Sequence, residues 1–155
     1  MLFPRMIQYM TGDPLLTDAP ILAFGWNLRG RAETGALEST LMQRYPTAFA
    51  AFSKQARQGR VRIGTMWLWR ETIPVLGFMV VRDTPYGTTR LRHVEAIAMS
   101  LARDHKRDGI ASLALVIPGQ AYDRPIMRAA LERWLNAVSL PVMVFEDYQP
   151  GVVPT

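Results

Sequence analysis

The chain has no cysteine, two histidines, two lysines and no long apolar run in its 155 residues. Each scarcity excludes something. Without cysteine there is no disulfide framework, no thiolate metal site and no cysteine nucleophile, and a reducing compartment fits. The two histidines, His93 and His105, stand twelve apart on one helical segment with no converging carboxylates, so no metal site is expected. No serine sits in a nucleophile-elbow context. Neither the GxxxxGKS/T phosphate loop nor the GxGxxG dinucleotide fingerprint occurs. No segment approaches the ~18 uninterrupted apolar residues of a membrane helix. The opening "MLFPRMIQYMTGD" lacks the apolar core of a secretory leader. The expectation is a soluble, cytoplasmic protein with no cofactor and no membrane partner.

What is present is a globular composition, 49% hydrophobic and 20% charged. A chain of this size buries ~70% of its unfolded surface on folding. One domain is expected over residues 1–148, followed by a Pro/Gly-rich tail, "QPGVVPT" (149–155), that should fray. Eighteen cations face thirteen acids, for a net charge of +5, and sixteen of the cations are arginines. Arginine forks suit phosphate and carboxylate, so nucleic acid or an anionic ligand is one reading. Arginines spread over solvated helix faces by genome composition are the other.

Six short apolar, β-rich runs stand out: Met6–Met10, Pro20–Phe24, Thr65–Trp69, Val75–Val81, Ser112–Ile117 and Pro141–Glu146. Several, such as "LALVI" and "VMVF", are continuously apolar, as strands buried on both faces of a parallel sheet are. Three helical segments lie between them. The first carries a stripe of Leu37, Leu41, Tyr45, Phe49, Phe52 and Ala56, broken or kinked at Pro46 and ended at Gly59. The second runs through Val94, Ile97, Ala98, Leu101 and Ala102 and stops at Gly109; the third repeats the spacing from Met127 to Val138, with Pro125 in its first turn. Glu71–Pro74 reads as a hairpin connection. The order predicts an α/β fold: a three-layer α/β/α sandwich on a mixed, largely parallel six-stranded sheet.

Ligands of such sheets sit at the carboxyl ends of the strands. Three of the segments leaving those ends carry suggestive residues. In "TGDPL", Asp13 can accept a hydrogen bond from an amino group such as the adenine N6, or can cap a short turn. In "NLRGRAETGA", Gly30 and Gly35 permit close backbone approach, and the amides of Gly35, Ala36 and Leu37 can face an anion; the plain alternative is a turn before a helix. In "VIPGQAYDRP", Gly119 permits an unusual turn, the amides of Gly119, Gln120, Ala121 and Tyr122 can wrap phosphates, and Asp123 stands at a helix start, where it needs no function beyond capping.

Taken together, "MIQYMTGDPL", "NLRGRAETGALESTLMQRYPTAFAAFSKQARQG", "IGTMWLW", "LRHVEAIAMSLARD" and "LPVMVFED" resemble a macro domain, the ADP-ribose-binding fold. The likeness covers residues 6 to 148 and is nearest to the branch of DNA-ADP-ribose-removing antitoxins and the glutamate-ADP-ribose hydrolase. The resemblance implies that Asp13 binds the adenine amino group, that Asn27 lies near the distal ribose, and that Gly30 and Gly35 keep the first-loop spacing. It also exposes departures. The family's middle glycine is Glu33 here, a carboxylate that opposes a pyrophosphate unless it turns outward. In the second loop Gly119 remains, preceded by Pro118, with Ala121 as its partner. The family's lysine after the fourth strand falls at Arg82 or Asp83, with Arg82 the better match. Arginine stays protonated and is a poor nucleophile, so Arg82 fits a phosphate clamp or charge stabiliser, and Asp123 matches the loop aspartate that activates water.

Three functions follow in order: a module binding ADP-ribose, a related nucleotide, or ADP-ribosylated DNA or protein; an ADP-ribosyl hydrolase using Asp123 and Arg82; and a degenerate fold that binds nucleic acid or protein through arginines.

Overall fold

A computed structural model describes residues 6–155. The first five residues, part of the expected 1–148 domain and of the stretch read for a leader, lie outside the described residues. Six strands, β1 (Ile7–Met10), β2 (Ile21–Asn27), β3 (Met66–Trp69), β4 (Val75–Arg82), β5 (Leu113–Val116) and β6 (Val142–Phe145), form one sheet in the order β1-β6-β5-β2-β4-β3. Every neighbouring pair is parallel except the edge strand β3, which runs antiparallel to β4 through the expected hairpin. The mixed, largely parallel sheet is as the apolar runs predict.

The two-residue side-chain period of a strand then sorts the core into two layers. Ile21 and Ala23 of β2, with Met79 and Val81 of β4, face α3 (Leu91–Asp104) and α4 (Arg124–Leu135). Leu22, Phe24 and Trp26, with Leu76, Phe78 and Val80, face α1 (Ala36–Arg44) and α2 (Pro46–Arg57). The second layer is aromatic: Phe52 of α2 stacks on Phe78 at 4.6 Å, and Phe24 meets Phe78 edge-on at 4.9 Å. Pro46 splits the first predicted helix into α1 and α2, since it cannot donate the hydrogen bond that would continue α1. No helix among the described residues is long and apolar enough to cross a membrane.

Two boundaries shift in ways that shape the site. β2 does not end at Phe24 but continues to Asn27, with Gly25 inside it. A side chain at Gly25 would crowd the Arg82 guanidinium and Pro118, so glycine leaves room for Arg82 to lie back against the strand. The tail, expected to fray, has backbone partners in the fold. Residues 149–155 fold over the loop after β1: Thr11 and Thr155 exchange backbone hydrogen bonds of 3.0 and 3.1 Å, and the Asp13 amide donates to the Val152 carbonyl at 2.7 Å. A methyl group on Gly12 would meet Val152 and Pro154 backbone within 3 Å, so glycine is what lets the two segments touch.

Candidate functional site

A cleft of about 640 Å³ opens at the carboxyl ends of β2, β4 and β5. Three segments wall it. The first loop supplies Glu33, Thr34 and Gly35, with Glu38 from the first turn of α1; the loop after β4 supplies Pro85 to Thr89; the loop after β5 supplies Gly119, Gln120, Tyr122 and Asp123. Arg82 forms part of the lining at the end of β4. Two tyrosines stand at the rim, Tyr86 at 88% and Tyr122 at 78% exposed.

Glu33 and Arg82 join two of these walls. The strand register explains how. After an irregularity between Trp26 and Asn27, β2 pairs Asn27 with Arg82, so both side chains leave the sheet at the same level. Asn27 is fully buried and satisfied by its own loop: Nδ2 donates to the Arg31 carbonyl and to Glu33 Oε2, both at 2.9 Å, while Oδ1 accepts from the Arg31 amide at 3.0 Å. Asn27 thereby turns Glu33 inward. Arg82 Nη1 donates to both Glu33 oxygens at 2.7 Å, and its Nε donates to Thr89 Oγ1 at 3.2 Å. Burial pushes the Glu33 carboxyl above the usual glutamate value, an effect that Arg82 and Asn27 only partly offset.

In the second loop, Gly119 has φ +96, a conformation that favours glycine, and a Cβ there would approach Asp123 Oδ2 to 3.1 Å. Gln120 and Asp123 close a reciprocal box around a short 3-10 turn (Ala121–Asp123), with the Gln120 amide donating to Asp123 Oδ2 at 3.0 Å. Asp123 makes no side-chain cap hydrogen bond to α4; its capping work is done on the turn before it.

Of the residues singled out from sequence, Arg82, Gly35, Gly119, Gln120, Tyr122 and Asp123 meet in the cleft. Asn27 lies buried behind Glu33. Gly30 is not in the lining; it packs on Ser53 and Ala56 of α2. Ala36, Ala121 and the buried Pro118 shape the walls without lining them. Asp13 is elsewhere. At 5% exposure, its Oδ1 accepts from the Leu15 amide, capping a 3-10 turn (Pro14–Leu16), and its Oδ2 accepts from the Gly151 amide, each at 2.9 Å. The capping alternative for Asp13 is what the geometry displays. The segment Arg82–Thr89 is among those expected at the carboxyl ends of the strands, but the sequence alone assigns no role to 85–89. Its signal was present as turn chemistry, "PYGTT", directly after a buried strand.

Solved structures share this architecture. The macrodomain of Thermus aquaticus DarG superposes with a TM-score of 0.80 at 18% identity, covering 91% of this chain and 98% of that one. The chain has the macrodomain fold. The macrodomain of Mycobacterium tuberculosis DarG follows with a TM-score of 0.76 and 21% identity over 93% of this chain and 99% of its own. Thermosipho africanus DarTG, solved in complex with ADP-ribose, matches with a TM-score of 0.73 and 16% identity over 82% of this chain and 38% of that longer one. No protein-family profile and no curated protein matches the sequence. Within the macrodomain fold, the inward Glu33 and its pairing with Arg82 distinguish this cleft from the glycine-lined first loop that the sequence resemblance implies.

Proposed function

We propose that this protein binds ADP-ribose or a related nucleotide, free or attached to a target, in the cleft between the first loop and the Gly119 loop. One observation carries the reading. A polar cavity of about 640 Å³, within the rough 300–1,000 Å³ range of small-molecule sites, lies where strands β2, β4 and β5 end in a macrodomain fold. The fold is shared with a Thermosipho protein solved with ADP-ribose. Isothermal titration tests it: saturable heat with ADP-ribose or a nucleoside fragment of it is expected, and neither heat nor thermal shift at millimolar ligand would sink it.

A hydrolase is the second reading, favoured by Asp123 lining the same cleft as Arg82. A carboxylate at a ribose can activate water or take a proton, while Arg82, always charged, stabilises rather than attacks. Asp123→Ala should then abolish ADP-ribose release and spare binding. Purified protein that releases nothing from ADP-ribosylated DNA or glutamate-linked substrate excludes this reading.

A further inference from the structure

Three devices that ordinarily hold a phosphate are present in the cleft: a guanidinium, a helix start and loop amides next to a glycine. Each is already occupied by a carboxylate of the chain itself. Arg82 Nη1 is shared between both oxygens of Glu33 at 2.7 Å. The carboxylate of Glu38 folds back over Gly35, filling the space where that residue's side chain would be, at a start of α1 that has no side-chain cap. The Gln120 amide donates to Asp123 Oδ2 at 3.0 Å. The lining therefore carries three carboxylates against a single guanidinium, on a chain whose overall charge is +5.

We propose that Glu33 and Glu38 make this cleft select an uncharged, hydroxyl-bearing ribosyl group over a phosphate. The inference rests on the nucleotide-binding reading and narrows it. A phosphate entering here must displace an internal carboxylate or sit beside one, and like charges at close range in a partly desolvated site repel. A ribose hydroxyl meets no such cost. It can donate to a carboxylate oxygen and accept from the neighbouring N–H at once, joining the pair without breaking it. A site built this way recognises the ribosyl end of its ligand and leaves any phosphates to point outward into solvent.

Calorimetric titration of the full chain with adenosine, AMP and ADP-ribose tests this, read as the ratio of affinities. Wild-type protein should bind adenosine at least as well as AMP. Glu38→Gln, a change on the half-buried rim, should raise the AMP-to-adenosine ratio about tenfold. Glu33→Gln should do the same where it folds, and the rim variant carries the test alone where it does not. Wild-type protein that prefers AMP over adenosine about tenfold, with a ratio unmoved by Glu38→Gln, overturns the proposal while leaving nucleotide binding intact. Absence of binding to all three ligands by wild type and by both variants defeats the nucleotide reading itself, and the selectivity with it.

Discussion

Arg82 Nη1 lies 2.7 Å from both carboxylate oxygens of Glu33, although the two residues are 49 positions apart. The pair ties the first loop to the end of β4 across the base of the cleft. Its effects extend to stability, to pH response and to what the cleft accepts.

Glu33 is nearly buried and faces Arg82 from β4, Asn27 from β2 and Glu38 from α1, and it keeps its proton to a higher pH than the ordinary 4.5. Folded protein thus binds that proton more tightly than the unfolded chain. The resulting contribution to stability is complete below pH 4.5 and is lost as pH rises through the folded value. Glu33→Gln cannot titrate there. Melting curves of wild type and this variant should diverge in favour of wild type as the pH is lowered from neutral toward 4.5. A difference that stays constant would mean that Glu33 titrates like an exposed glutamate.

Asn27→Ala removes three hydrogen bonds at a fully buried position and leaves the Arg31 backbone without its partner. A loss of about 2–4 kcal/mol in urea unfolding is expected. The variant should also weaken adenosine binding, because Glu33 is released from its inward position. Wild-type stability in Asn27→Ala would show that the loop holds its shape without the amide.

Asp13 anchors the tail, its carboxylate accepting from the Gly151 amide 138 positions away. Asp13→Ala should cost about 2 kcal/mol through the lost cap and the lost anchor. It should also bring hydrogen exchange at the Thr155 and Val152 amides close to unprotected rates. Protection that persists in this variant would place the anchor in the Thr11–Thr155 pairing instead.

Gly119→Ala puts a side chain at φ +96 with its Cβ about 3.1 Å from Asp123 Oδ2. The backbone strain alone is worth about 1–2 kcal/mol. The larger effect should fall on the cleft, since Asp123 must move: ligand affinity is expected to drop about tenfold or more while the melting temperature falls by only a few degrees. Unchanged affinity would remove the Gly119 loop from the binding surface.

How much of this was legible in the sequence depends on the reach of each interaction. The continuous apolar runs "LALVI" and "VMVF" announced strands covered on both sides. Pro46 announced the break between α1 and α2, and Gly119 announced a turn that only glycine makes easily. The end of β2 was harder. Gly25 looks like a loop residue locally, and it is a strand residue because Arg82 needs the space above it. The contacts of the tail were hidden for a similar reason. "QPGVVPT" has the composition of a frayed end, yet its backbone groups find partners on Thr11 and Asp13 that no local pattern advertises.

The sequence by itself determined the order and type of the elements, the two-layer burial around a parallel sheet, and the positions of the turns. These follow from side-chain period and backbone freedom, which act over a few residues. Only the tertiary structure decided the direction of Glu33, the employment of Asp13 and the charge of the cleft. Glu33 turns inward because β2 and β4, paired in register, bring Asn27 and Arg82 side by side. Asp13 serves the tail because the chain returns to it from Gly151. A buried carboxylate goes where its hydrogen-bond donors are, and here those donors come largely from distant parts of the chain.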